Sequence, residues 1–110
     1  MPKLTVSNVK KSEVLEISKD LIDNLAAIAS VPRNAITLEF NEAENTVIFD
    51  GEVVPSHPTV NVYWFERPQD IQDALADYIN KKLFEIGYDH VTVIFTGVPK
   101  THWYSNGKHF

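Results

Sequence analysis

The sequence predicts an α/β (α+β) fold in which two βαβ units form one four-stranded mixed sheet with both helices on one face. The main observation is that the pattern strand, helix, strand occurs twice in 110 residues. The residues that bound the two helices recur at a shift of 56 positions, from Ser12 to Pro68 and from Val31 to Gly87. The crossover in each unit should be right-handed, with its two strands parallel.

The length of the chain indicates how these two units are combined. A chain of 110 residues suits one domain. We therefore expect a single domain over 1–110, with repeat halves at about 2–41 and 58–97 and a tail at 98–110. Pro2 and Pro58, which precede the first strand of each half, fit the same shift.

The first unit has clear signals for its three elements. Alternation of apolar and polar residues predicts strands over 3–7 and 36–40. Between them, apolar residues at helical spacing predict an amphipathic helix over 12–29, with Ser12 as its N-cap. This helix must end before Val31-Pro32, because the residue before a proline is pushed out of the α region.

The second unit repeats this pattern. It has three predicted elements: a strand at 59–65, a helix at 68–86 and a strand at 90–96. Pro68 suits the first helical position, and Gly87 suits the end of the helix.

One short hairpin and one further turn are predicted outside the repeat. Strands at 46–49 and 52–54 should pair across Asp50-Gly51, a strong tight-turn signal. In the tail, Asn106-Gly107 gives a second turn signal. The tail also contains three aromatic residues: Trp103, Tyr104 and Phe110.

One face of the predicted sheet has no helix to cover it. This face would carry both polar and apolar residues: Thr5, Thr37, Asn61, Tyr63, Phe65, Thr92 and Ile94. The mixture is too apolar for water and too polar for a dry core, so copies of the same chain are its natural cover. The short strands and the aromatic tail are candidates to pair with a neighbour's sheet edge.

Composition excludes several classes of function. A net charge of −5 without a basic block argues against a nucleic-acid partner, and no apolar run predicts a membrane span. The absence of cysteine excludes disulfides and thiolate chemistry, and fits a cytoplasmic protein. The 4 histidines match no metal-ligand spacing, and no phosphate-binding loop is present, so we expect neither metal nor cofactor.

Three motifs combine with the two βαβ units to suggest a family. They are Met1-Pro2 before the first strand, the Val31-Pro32 break, and the tail from Trp103 to Phe110. Together they resemble the tautomerase superfamily, which includes 4-oxalocrotonate tautomerase and macrophage migration inhibitory factor, and look closest to an uncharacterised bacterial branch of it. The resemblance implies a homotrimer enclosing a central channel. It also implies cofactor-free keto–enol chemistry on a small α-keto or unsaturated carboxylic acid.

The resemblance also implies two site residues. Pro2 matches the catalytic proline, which acts as general base when Met1 is removed and its secondary amine is free. A free α-amine titrates near ~7.7–8.0, and burial or a nearby cation lowers that value. Arg67 resembles the arginine that binds the substrate carboxylate. The alternative for Arg67 is a surface ion pair with Glu66 or Asp70.

Four further residues are candidates for substrate binding: Trp64, Trp103, Tyr104 and Lys3. For the aromatic residues the alternative is a place in the core or at a subunit interface, and for Lys3 it is a solvated surface. The protein as a whole has alternatives to an enzyme. It could be a catalytically silent trimer that binds a small acid or a protein partner, or a structural relic of the same fold.

Overall fold

The structure is a computed structural model that describes residues 1–110, which form two α-helices and eight β-strands. In chain order the elements are β1 (Lys3–Ser7), α1 (Lys11–Ala29), β2 (Thr37–Phe40), β3 (Val47–Phe49), β4 (Glu52–Val54), β5 (Thr59–Phe65), α2 (Gln69–Ile86), β6 (Thr92–Val98), β7 (Tyr104–Ser105) and β8 (Lys108–His109). Short 3-10 turns lie at Arg33–Ala35 and Lys100–His102. Neither α-helix is long and apolar enough to cross a membrane.

The main sheet has the strand order β2-β1-β5-β6. β1 and β2 are parallel, β5 and β6 are parallel, and the two units meet through the antiparallel pair β1–β5. Equivalent hydrogen bonds begin the two parallel pairs. The Thr37 amide donates to the Pro2 carbonyl, and the Thr92 amide donates to the Pro58 carbonyl, both at 3.0 Å. The predicted four-stranded mixed sheet and its two βαβ units are therefore confirmed.

Both helices pack on the same face of this sheet, as predicted, and share one core. The core contains inward-facing strand residues and the apolar stripes of both helices: Leu4, Val6, Val60, Val62, Trp64, Leu21, Leu25, Leu75, Ile79 and Leu83. Each buried aliphatic side chain contributes about 1.5–3 kcal/mol relative to an exposed one. The alternation that predicted the strands thus also selects the face that the helices cover.

The helix boundaries differ slightly from the prediction. α1 begins at Lys11, with Lys10 rather than Ser12 as N-cap residue. The reason is the Glu13 carboxylate, which accepts a hydrogen bond from the Lys10 amide at 3.0 Å and so stabilises an earlier start. α2 begins at Gln69, directly after Pro68, and Gly87 ends it with φ +117°, a conformation that favours glycine.

Three strands differ from their predicted ranges. β3 begins at Val47 instead of residue 46. β2 begins at Thr37 instead of residue 36, because the amide of Ile36 donates to Arg33 in the preceding 3-10 turn. β6 covers 92–98 instead of 90–96, since it pairs with β5 along its whole length.

The uncovered sheet face carries the predicted mixture of residues. Thr5 lies opposite Asn61, which lies opposite Ile94, so these side chains share the face away from the helices. Tyr63 is 44% exposed and Ile94 is 48% exposed.

The β3–β4 hairpin forms across Asp50-Gly51, as predicted, with φ +54° and +80°. It is not hydrogen-bonded to the main sheet. Ile48, Phe49 and Val53 on this hairpin are 68–74% exposed. The hairpin and the open sheet face are therefore both exposed surfaces with apolar side chains.

Candidate functional site

A cleft of about 600 Å³ lies at the end of the sheet where β1 starts and β5 ends. These two ends meet because β1 and β5 are antiparallel. The cleft is lined by nine residues from five segments: Met1, Ser30, Val31, Ala35, Phe65, Glu66, Arg67, Lys100 and Phe110. The topology thus brings the amino terminus to the residues that follow β5.

The amino-terminal amine has a defined place in this cleft. The Met1 amine donates a hydrogen bond of 2.5 Å to the Ala35 carbonyl. Burial and the positive charge of Arg67 both lower the pKa of this amine. The ring of Pro2 is fully buried directly behind Met1. With Met1 attached, the Pro2 nitrogen belongs to a peptide bond and has no basicity.

Arg67 is held at the cleft by its own neighbours in sequence. Its guanidinium donates to the Phe65 carbonyl at 2.8 Å and lies 4.9 Å from the centre of the Trp64 ring. No carboxylate lies within ion-pair distance of it, so neither Glu66 nor Asp70 neutralises it. Burial lowers the pKa of the guanidinium. Arg67 is therefore a half-buried cation that is free to bind an anion.

The aromatic side of the cleft comes from β5 and the tail of the same chain. The Phe65 ring lies 5.6 Å from the ring of Trp103, edge to face, and 5.6 Å from the ring of Phe110. The Phe110 amide donates to the Trp103 carbonyl at 3.1 Å, which holds the tail in this position. The tail therefore supplies a wall of the cleft as well as exposed aromatic surface.

The repeat produces an equivalent cleft at the other end of the sheet, but with different chemistry. It measures about 340 Å³ and includes Glu42, Glu44 and Tyr88. At the shift of 56, Glu44 corresponds to Lys100, and Lys11 corresponds to Arg67. Lys11 forms an ion pair with Glu42 at 3.4 Å. Lys11 does not line this second cleft, whereas Lys10 does and is in no ion pair, so each of the two clefts has an unpaired cation.

Comparison with protein families identifies the chain. Residues 1–109 match the family model described as Domain of unknown function (DUF1904). The chain belongs to the DUF1904 family. None of the proteins with curated functions matches the DUF1904 sequence.

Solved structures show which fold the DUF1904 chain has. A DUF1904 crystal structure from Sebaldella termitidis ATCC 33386 is 29% identical, with a TM-score of 0.88 and 100% of both chains covered. A symmetric trimer of fused wild-type 4-oxalocrotonate tautomerase (4-OT) is 24% identical, with a TM-score of 0.80, over 97% of this chain and 94% of that one. A macrophage migration inhibitory factor homologue from Prochlorococcus marinus is 17% identical, with a TM-score of 0.76, over 99% and 97%. The predicted tautomerase-superfamily fold is therefore confirmed.

The structure of this chain distinguishes the candidate substrate-binding residues that support the cleft from those that lie away from it. Trp64 is 1% exposed and lies in the core beneath Arg67, and Trp103 lies behind Phe65, so both support the cleft without lining it. Tyr104 is 60% exposed and packs on His109, away from the cleft. Lys3 forms an ion pair of 2.9 Å with Glu39 on the open sheet face. The structure thus brings Arg67 and the amino terminus together, but neither Lys3 nor Tyr104.

Sequence reasoning missed one charged residue of the DUF1904 cleft. Lys100 lines it, with its Nζ atom 5.9 Å from the centre of the Phe65 ring. A signal was present, because β5 and β6 were predicted to be parallel and their carboxyl ends must lie at the same edge of the sheet. A cation soon after β6 is therefore near Arg67, which follows β5.

Proposed function

We propose that the DUF1904 chain is a cofactor-free tautomerase that acts on a small α-keto or unsaturated carboxylic acid, with Pro2 as general base after removal of Met1. The observation that carries this proposal is the amino-terminal amine in a cleft beside an unpaired guanidinium. Both the burial and the charge of Arg67 favour a neutral amine. A neutral amine near working pH is what proton abstraction requires.

Removal of Met1 exposes the base in this scheme. The Pro2 nitrogen then becomes a secondary amine at the position that Met1 now covers. Since the Pro2 ring is fully buried, packing fixes the direction in which the lone pair of its nitrogen points. The amine takes a proton from the carbon next to the substrate's carbonyl and gives an enolate. The same proton, returned to the oxygen or to another carbon of the conjugated system, completes the isomerisation.

Arg67 orients the substrate for this transfer. Its planar guanidinium binds a carboxylate through two parallel hydrogen bonds, which fix direction as well as distance. The Phe65 and Phe110 rings border the same cleft and exclude part of the water around the bound acid. A lower local dielectric strengthens the attraction between Arg67 and the developing enolate.

The proposed active form is a homotrimer. The open sheet face, with Tyr63 and Ile94 half exposed, and the exposed apolar hairpin of Ile48, Phe49 and Val53 both need a partner surface. A similar solved structure, the fused 4-OT, is a symmetric trimer. Copies of this chain arranged in the same way would cover both surfaces.

A second candidate function follows from the state of the amino terminus. While Met1 is attached, Pro2 has no free amine, yet Arg67 remains unpaired at the cleft. In that form the protein binds small carboxylates without turning them over. This is the catalytically silent alternative. One experiment distinguishes it from the enzyme.

The experiment compares two forms of the protein, with and without Met1, after intact-mass analysis of each. Exchange of the C3 protons of 2-oxobutyrate in D₂O is followed by NMR. We expect exchange with the Pro2 form only, and a loss of at least tenfold in Pro2→Ala, whose primary amine is less rigidly held. If the Pro2 form binds 2-oxobutyrate but does not exchange its protons, the enzyme proposal is wrong and the binding protein is favoured.

A further inference from the structure

We infer that Trp64 and Gly97, which lie side by side in β5 and β6, keep the Arg67 guanidinium free to bind the carboxylate of a substrate. Trp64 holds the guanidinium through its ring, and Gly97 leaves room for the Glu66 side chain to lie away from it. Neither residue lines the cleft, so both are positioning residues. This inference rests on the proposed function, since it explains how the carboxylate anchor of the same site stays available.

The surroundings of Arg67 lack the ion pair that its neighbours in sequence could supply. Glu66 precedes it and Asp70 follows three positions later, yet no carboxylate lies within ion-pair distance of the guanidinium. One of its N–H groups donates to the Phe65 carbonyl at 2.8 Å, and the other donors remain for a ligand. A carboxylate of the chain would bind through the same donors and neutralise the charge. The guanidinium must therefore be held in some other way.

The Trp64 ring holds the guanidinium without neutralising it. This ring is 1% exposed and packs in the core against Phe95, with 5.0 Å between the two ring centres. The guanidinium carbon of Arg67 lies over the ring, 4.9 Å from its centre. The face of an aromatic ring attracts a cation, and tryptophan does so most strongly. Because the ring carries no net charge, the positive charge of Arg67 stays available to a substrate.

Gly97 explains why Glu66 does not pair with Arg67. A Cβ atom at Gly97 would lie 2.5 Å from the Cγ atom of Glu66 and 3.5 Å from its Cβ and Cδ atoms. Gly97 does not have a positive φ, so the position requires glycine for space and not for backbone conformation. The Glu66 side chain therefore lies against β6. A side chain at position 97 would displace it and bring its carboxylate within reach of the adjacent guanidinium.

The first test uses Gly97→Ala and NMR titration with butyrate, an unreactive monocarboxylate, on the full chain with Met1 attached. We expect Gly97→Ala to weaken butyrate binding about fivefold, because an exposed ion pair between Glu66 and Arg67 competes by up to about this factor. In a Glu66→Gln background, the same Gly97→Ala change should alter binding by less than about twofold. An equal loss in both backgrounds, or no loss in either, would refute the inference.

The second test compares two replacements of Trp64 in the same titration. Trp64→Leu removes the ring and should weaken butyrate binding about fivefold, whereas Trp64→Phe retains an aromatic face and should stay within about twofold. Phe95→Leu is the control, since it removes a neighbouring core ring that Arg67 does not stack on. The inference is wrong if Trp64→Phe weakens binding as much as Trp64→Leu, or if Phe95→Leu does so.

These titrations do not depend on catalysis by Pro2. Exchange of 2-oxobutyrate protons in the Pro2 form, combined with butyrate binding that is insensitive to Trp64 and Gly97, would refute this inference alone. Butyrate binding that depends on both residues as described, without exchange in the Pro2 form, would support the inference and refute the enzyme. A wild type that does not bind butyrate would refute the carboxylate anchor and, with it, both proposals.

Discussion

Arg67 is the residue whose replacement should affect the cleft most directly. It is unpaired, half-buried and fixed by the Phe65 carbonyl. We expect Arg67→Gln to raise the KM for 2-oxo acids about 10–100-fold, because hydrogen bonds to a charged group contribute about 1.5–3 kcal/mol. The thermal midpoint should change little. Arg33→Gln, which breaks an exposed ion pair with Asp23 elsewhere, is the matched control.

The same replacement should change the pH dependence of the amine. Burial and the Arg67 charge lower the pKa of the Met1 amine. The same charge should act on the Pro2 amine once Met1 is removed, so replacing Arg67 should raise the pKa of that base. A base that must be neutral then becomes active only at higher pH. The lower limb of the pH–rate profile should therefore move to higher pH in Arg67→Gln. If the acidic limb of the profile does not move, the charge of Arg67 does not affect the pKa of the base.

Pro2 has a structural part in addition to its proposed catalytic one. Its ring is fully buried, as is that of its repeat partner Pro58. Pro2→Ala removes buried carbon atoms, so its activity must be compared after the stability of the variant has been measured.

Between elements, one hydrogen bond joins the start of α1 to the loop that follows α2. The Tyr88 hydroxyl donates to the Glu13 carboxylate at 2.5 Å, in a partly buried position. We expect Tyr88→Phe to reduce the free energy of unfolding by about 1–2 kcal/mol near neutral pH. Chemical denaturation of the two proteins measures this difference, and Tyr104→Phe, on the exposed tail, should show none.

The pH dependence of that difference follows from both partners. The hydrogen bond from Tyr88 lowers the pKa of Glu13, so its contribution is present above the unfolded carboxyl pKa and is lost as pH falls through the lowered value. Burial, with the same hydrogen bond, raises the pKa of Tyr88 to about 12. Its contribution is therefore lost as pH rises from the unfolded tyrosine value of ~10 towards 12. A difference that is constant from pH 3 to pH 11 would contradict this account.

For the molecule as a whole, the exposed hairpin and the open sheet face predict association. We expect light scattering to give three times the chain mass of 12.5 kDa. Phe49→Ser, at a side chain 73% exposed on the hairpin, should shift the protein towards monomer without lowering the stability of the single chain. Leu15→Ser, at a similarly exposed residue of α1, is the control. A wild-type mass of one chain at every concentration would refute the trimer.

Most of the fold was predictable because its signals are local. Period-2 and helical spacing placed the strands and both helices, and Gly87 and Asp50-Gly51 marked backbone conformations that few other residues adopt. The shift of 56 positions revealed the repeat, and with it the parallel pair within each unit, but not the antiparallel pairing of β1 with β5. These features depend on residues close together in the chain, so composition and spacing are enough to establish them.

The candidate site depended on contacts between distant segments, which spacing does not record. By residue type alone, the candidates for substrate binding included Arg67, Trp64 and Lys3 on equal terms. Strand register then buried Trp64 in the core and placed Lys3 on the open face, beside Glu39. Lys100 entered the cleft because β6 pairs with the full length of β5 and ends beside Arg67. This pairing sets the direction of side chains at the ends of strands, and the pairing itself is defined only in the folded chain.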